Sequence, residues 1–259
     1  MSTLLPAFSV ITCTRNSEPW VAESIKSVLA QEAVEIEYIF VDGRSTDGTL
    51  SVIKNIDRPV KLIQNRCNGI SDAMNAGLAL ATREIVAYLH ADDFYLHADV
   101  LKTVAESFKT TQCQWLFGRT MSVIHDQLIP EGYTAPRYSR RQLLRGNFIP
   151  HPACFVKRSL LLQAGGFNTE LRYAMDYDLW LRLSLLSEPL QMNKPLTAFR
   201  EHSGSLSTRN RSAAMREDLQ VRLAHAGINP VTRLMHTTRY LARRWRDSVR
   251  AQPPTTRHA

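Results

Sequence analysis

Short runs rich in β-branched and aromatic residues alternate with stretches of helical periodicity through the first hundred positions. Phe8 to Thr14 and Ile36 to Val41 read as strands. Each stops on a polar cluster, Thr14-Arg15-Asn16 after the first and Asp42-Gly43-Arg44-Ser45-Thr46-Asp47-Gly48 after the second. A third apolar run, from Ile85, ends on His90 and the adjacent carboxylates Asp92 and Asp93. Between these runs, Trp20, Val21, Ile25, Val28 and Leu29 recur at helical spacing, as do Ile70, Ala73, Met74, Gly77, Leu78 and Ala81. The alternation predicts an α/β fold, a mostly parallel central sheet with helices on both faces. In such sheets the ligand crevice lies beyond the strand C-termini, where Thr14, Asn16, Asp42, Asp92 and Asp93 fall.

A chain of 259 residues with 44% hydrophobic and 22% charged content can bury a large core, which argues against disorder for most of its length. Its four cysteines, Cys13, Cys67, Cys113 and Cys154, show no Cys-x-x-Cys spacing and suit a reducing, cytoplasmic setting. Met1 to Pro6 carries no basic region or long apolar segment, and no apolar stretch is long enough to cross a bilayer, so neither secretion nor membrane spanning is expected.

The net charge of +8 is unevenly placed. From Ile228 onward there are seven arginines against Asp247 alone, so this tail carries +6 and the rest of the chain is close to neutral. At helical angles Val231, Leu234, Met235, Leu241, Ala242, Trp245 and Val249 gather on one arc, with Arg239, Arg243, Arg244, Arg246 and Arg250 outside it. Two readings of this basic amphipathic helix stand. It rests on an anionic membrane surface through residues 229–250, or its apolar arc docks on the domain or on a second subunit. No nucleic-acid reader motif accompanies the arginines, so nucleic acid is not an expected partner.

Two adjacent aspartates at a strand end repel each other and resist desolvation. Asp92 and Asp93 are therefore either a solvated turn or a site completed by a cation or a hydroxyl-rich ligand. Asp176 precedes Leu179, Trp180, Leu183 and Leu186 at helical spacing, which puts it at a helix N-terminus where its anionic form is favoured. It reads either as a structural cap or as an acid–base group. Asp178 is expected to stabilise the first turn.

Five ordered stretches together resemble glycosyltransferase family 2, the inverting nucleotide-sugar transferases with the GT-A fold. They are Phe8 to Asn16, Tyr38 to Thr49, Gly69 to Gly77, Ile85 to Asp93, and Gly165-Gly166-Phe167 followed by Asp176 to Arg182. The third looks most like the branch that builds bacterial surface polysaccharides. The resemblance implies a GT-A domain over 1–208, with a nucleotide-binding half over about 6–110 and an acceptor half over about 111–208. A helical basic extension with a disordered end follows over 209–259. It further implies a UDP- or dTDP-sugar donor, a saccharide or lipid-linked saccharide acceptor, and work in the cytoplasm or at the inner face of the membrane.

By the same resemblance Asp42 binds the base, with Thr14 and Asn16 beside it, and Asp72 and Asn75 border the nucleotide. Asp92 also belongs to that pocket and, with Asp93, holds Mg²⁺ or Mn²⁺. Asp176 is the base that inversion requires. His151 is a candidate contact to acceptor or diphosphate, and equally a semi-buried structural histidine. His202 is a candidate metal ligand in a loop that orders over the donor. His90 departs from the family pattern, since many relatives carry aspartate there. That departure keeps open a non-catalytic nucleotide-sugar or glycan-binding protein of the same fold. An oxidoreductase is disfavoured because no Gly-x-Gly-x-x-Gly follows the first strand, and a nucleotidyltransferase because no glycine-rich basic loop does.

Overall fold

The computed structural model describes residues 5–64, 68–130, 135–200 and 210–250, the last stretch by backbone alone at 245 and 247–250. His202, Cys67 and the terminal residues 251–259 lie outside the described residues.

Strands β1 (Phe8–Thr14), β2 (Ile36–Asp42), β3 (Lys61–Gln64) and β4 (Ile85–Tyr88) form a parallel block in the order β3-β2-β1-β4. Their core positions are apolar on both sides of the sheet, as a strand covered twice requires: Val10, Ile11, Ile39, Phe40, Val86 and Ala87 are all buried. One face packs under α1 (Glu18–Leu29), through Val21, Ile25 and Val28. Burying each such side chain contributes roughly 1.5–3 kcal/mol, so this stripe outweighs the weak helix propensity of its β-branched members.

The other face packs under α3 (Ile70–Leu80), which follows α2 (Thr49–Lys54). Gly77 lets α3 lie almost on the sheet, because a Cβ there would stand 2.4 Å from Ile11 Cγ2 and 3.3 Å from Val41 Cγ2.

Beyond β4 the sheet becomes mixed. It continues through β8 (Cys154–Lys157), β6 (Trp115–Ile124), β9 (Leu190–Arg200) and β5 (Phe94–Tyr95), with β7 (Gln127–Pro130) hairpinned onto β6. β8 runs antiparallel to β4 and β6, whereas β9 runs parallel to β6. Helices α4 (Val100–Thr111), α5 (Arg140–Leu143), α6 (Arg158–Gln163) and α7 (Met175–Leu186) pack around these strands. α7 is held by Trp180, stacked on Trp115 with ring centroids 5.9 Å apart.

Two further helices, α8 (Arg211–His225) and α9 (Pro230–Arg250), come after β9. The helix α9 lies against α8 through a polar face: His236 is 1% exposed and Tyr240 9%, while Val231 is 74%, Leu234 64% and Leu241 54% exposed. Docking of the apolar arc on this domain therefore gives way, because the described members of the arc, Val231, Leu234, Met235, Leu241 and Ala242, are not buried. Among the described residues no helix is long and apolar enough to cross a membrane. Among the described residues Cys113 and Cys154 are unbridged.

Candidate active site

β1 and β2 pair in register up to Thr14 opposite Asp42, so hydroxyl and carboxylate emerge together at the C-terminal edge of the sheet. Thr14 Oγ1 donates to Asp42 Oδ1 at 2.9 Å. Ser45 donates its hydroxyl to the same oxygen at 2.5 Å and its backbone N–H to Oδ2 at 2.9 Å, and Gln64 Nε2 reaches Oδ2 at 3.4 Å. Burial pushes the Asp42 carboxyl up, but these bonds together outweigh it and hold the group below its ordinary value.

Asn16 fastens the loop 43–48 to β1: its N–H donates to Ser45 Oγ at 2.9 Å, and its Oδ1 accepts the N–H of Thr46 at 2.8 Å. Asn16 thus holds in place the loop that carries Arg44, and Asp42 lies fully buried behind it; neither Asn16 nor Asp42 borders the cleft in front.

In front of this edge opens a cleft of about 760 Å³, bordered by Thr14, Arg15, Arg44, Gly69, Ile70, Arg172 and Tyr173. The N-terminus of α3 faces it. Asp72 Oδ2 accepts the N–H of Asn68 at 3.1 Å, a bond that closes the first turn of α3. Asn75 is turned to the far side. Its Nδ2 donates to the carbonyl of Phe167 and its Oδ1 accepts the Phe167 N–H, both at 2.8 Å. The expectation that Asn75 borders the nucleotide gives way here to a clasp between α3 and the Gly165–Phe167 turn. Gly166, at φ +67°, completes it, since a Cβ there would meet Asn75 Oδ1 at 2.6 Å.

At the end of β4 the N–H of Asp93 returns to the carbonyl of His90, and the chain turns. Asp92 is half-buried, whereas Asp93 is 1% exposed. Asp93 Oδ1 accepts the N–H of Arg200 at 3.2 Å, and Oδ2 is buried without a hydrogen-bond partner. Burial first, and the Asp92 charge second, push the Asp93 carboxyl well above the usual carboxylate range. Adjacent carboxylates, one with an orphaned oxygen, fit a hard divalent cation by their donor chemistry. Among the described residues they form no cluster of three or more His, Cys, Asp or Glu side chains.

His90 does not stand alone at the strand end. Its ring stacks on His151 with centroids 4.8 Å apart and planes 9° from parallel, and His151 in turn touches Tyr88, Phe167 and Trp180. Burial lowers both imidazoles below their ordinary range, so both are neutral near pH 7. This stack joins the end of β4 to α7.

Asp176 lies in the first turn of α7. Its Oδ2 accepts from Asn147 Nδ2 at 3.0 Å and its Oδ1 from the N–H of Tyr177 at 2.7 Å. The expectation that the helix terminus favours the anion is overturned: burial outweighs these two bonds, Asp218 adds like charge, and the carboxyl is pushed up to about 6. Asp178, also in the first turn of α7, pairs with Arg182 one turn on and with His225 of α8, at 2.9 Å each.

Asp176 borders a second recess of about 310 Å³, which shares Tyr173 with the larger cleft. Sequence reasoning missed Arg15 and Arg44, although both stood inside the polar clusters that end β1 and β2. It also missed Arg172, Tyr173 and Asn147, which carry no local signal.

Residues 9–161 match the family described as Glycosyl transferase family 2. The chain belongs to glycosyltransferase family 2. A chondroitin synthase of Pasteurella multocida is 30% identical over 196 residues, 73% of this family member but 20% of the relative's length. The chain thus spans about one fifth of that relative. Among solved structures, Staphylococcus aureus TarS in complex with UDP-GlcNAc superposes with a TM-score of 0.71 at 20% identity, over 91% of this chain and 71% of that one. A mannosyltransferase of Pyrobaculum calidifontis in complex with GDP-Man and Mn²⁺ gives 0.65 at 20% identity, over 92% and 70%. These likenesses bear out the GT-A fold.

Proposed function

We propose that the protein is an inverting glycosyltransferase that moves a sugar from a UDP- or dTDP-sugar to a saccharide acceptor in polysaccharide assembly. The observation that carries this reading is the pair of cavities meeting at Tyr173, one at the strand ends and the other around an Asp176 whose acid strength suits a base near neutral pH. The nucleotide occupies the first cavity, with Thr14 at its base end, Asp42 acting from behind through the Thr14 and Ser45 groups that it holds, and Asp92, outside the cavity wall, on the ribose side. Arg15, Arg44 and Arg172 meet the diphosphate. Asp176 takes the proton of the acceptor hydroxyl as its oxygen bonds to the anomeric carbon, and the nucleoside diphosphate leaves from the opposite face with the electrons of the broken C–O bond.

Asp92 and Asp93, with His202 as a further ligand, would hold Mg²⁺ or Mn²⁺; such a cation supplies positive charge to the departing diphosphate. The His90–His151 stack sets the spacing between the donor edge and α7. The acceptor is lipid-linked and met at the inner face of the membrane, where the outward apolar arc of α9 rests among anionic lipids.

The test is a thermal-shift panel of UDP-, dTDP- and GDP-sugars with and without Mn²⁺, since a ligand of the folded state alone raises its stability. UDP or dTDP stabilisation that Mn²⁺ enhances supports the reading. No stabilisation by any nucleotide sugar rejects it.

A further inference from the structure

The recess around Asp176 is walled by arginine. Arg145 comes from the loop after α5, Arg211 and Arg222 from α8, and Arg243 from α9. Through Arg145, Arg222 and Arg243 it runs on into an outer recess of about 280 Å³ that Arg239 and Arg246 also border. Among the described residues the carboxylates on these walls are Asp176 and Asp218. Asp218 is committed to Arg222 at 2.6 Å, and Arg222 is 5% exposed. Arg145 keeps Gln142 Oε1 at 3.1 Å and Arg246 the Ala242 carbonyl at 3.4 Å, both neutral acceptors. Guanidinium charge therefore exceeds carboxylate charge along the whole path outward from Asp176. Concentrating like charges on facing helices costs stability unless an anion is received there, and the guanidinium fork matches phosphate and carboxylate oxygens.

We propose that the acceptor bears an anionic group, a phosphate or a uronate-type carboxylate, which the α8–α9 arginines bind while its neighbouring sugar hydroxyl is presented to Asp176. This names the acceptor class for the transferase reading above and rests on it. It also gives the extension after residue 208 a role in substrate selection. At helical angles Arg239, Arg243 and Arg246 lie on the flank of α9 between its apolar arc and the His236–Tyr240 face turned to α8, the side on which a phosphate between sugar and lipid would arrive.

The test uses the full chain. UDP binding in the presence of Mn²⁺ is measured first by calorimetry, and its absence would remove the donor reading without touching the anion subsite. With UDP saturating, or without it if it does not bind, glucose 1-phosphate, methyl glucuronide and methyl glucoside are then titrated separately. An anionic probe is expected to bind at least tenfold tighter than methyl glucoside. Its affinity is expected to fall at least tenfold in Arg239→Gln/Arg243→Gln, with UDP affinity unchanged. Preference for the phosphate points to a phosphate-linked acceptor, and preference for the glucuronide to an acidic sugar. Equal affinity of the wild-type chain for all three probes, or no effect of the double variant on a protein of unchanged circular dichroism, would overturn the proposal.

Discussion

Glu217 of α8 accepts a hydrogen bond from the backbone N–H of Ala174 at 2.7 Å, two residues ahead of Asp176. The same carboxylate takes the N–H groups of Arg172, at 2.9 Å, and Tyr173. One side chain from the extension thus caps α7 and shapes the segment that borders both cavities. Carboxylate-to-amide bonds of this kind contribute about 1.5–3 kcal/mol each when buried. Glu217→Ala is expected to lower the melting temperature by several degrees and to reduce kcat/KM by one to two orders of magnitude. Glu217→Gln should recover part of both. Steady-state kinetics with differential scanning fluorimetry checks this, and an unchanged kcat/KM in Glu217→Ala would contradict it.

Asp176 makes activity depend on pH. As a base it must be ionised, so with its carboxyl near 6 the transfer rate should climb as pH rises through about 6 and level off above. Asp176→Asn should remove 10²–10⁴-fold of the rate, the usual worth of a positioned base, and leave UDP affinity intact. A non-catalytic binding protein would show no rate to lose.

The same group gives a stability prediction of opposite sign to that of a structural cap. Its folded-state value lies above the ordinary 3.8, so ionisation works against folding. The penalty is absent well below pH 4 and complete above about pH 6. Asp176→Asn should therefore raise the melting temperature at pH 8 by a few degrees and by much less at pH 4. A cap would instead be weakened at pH 8.

Glu37 behaves in the contrary way. Burial pushes its carboxyl up, but Lys61 at 2.6 Å, the Ser9 hydroxyl and two bonds from Thr82 outweigh this and bring it from 4.5 to about 2. A depressed carboxylate stabilises the fold fully above about pH 4.5, and the contribution is lost as pH falls toward about 2. Its size is about 3 kcal/mol at most. Glu37→Gln should destabilise the protein at pH 7 and flatten the acid limb of its stability profile, measured by urea denaturation across pH.

Leu234 and Leu241 stand on the solvent side of α9, 64% and 54% exposed. Leu234→Asp/Leu241→Asp should leave the melting temperature within a degree or two and sharply weaken sedimentation with phosphatidylglycerol-containing vesicles. Equal sedimentation of wild type and variant would end the membrane reading.

The local pattern along the chain carried much of this. Period-two and helical-period runs up to Asp93 specify β1, β2, β4, α1 and α3, and polar punctuation after the strands marks the ligand edge, because both signals are encoded by neighbours in sequence. The second half of the sheet was not legible in this way. β8 runs antiparallel to β4 and β6 while β9 runs parallel to β6, and strand direction is set by pairings between distant segments.

The same holds for individual residues. Helical spacing puts Asp72 and Asn75 on one face, but Asn75 is claimed by Phe167, 92 positions away. A helix N-terminus favours an anionic Asp176, but burial beneath α8 reverses the balance. The amphipathic arc of α9 was plain from its residues, and which face would dock was not. That choice fell to His236 and Tyr240 meeting α8, since amphipathicity says that two faces differ and only packing says which one finds a partner.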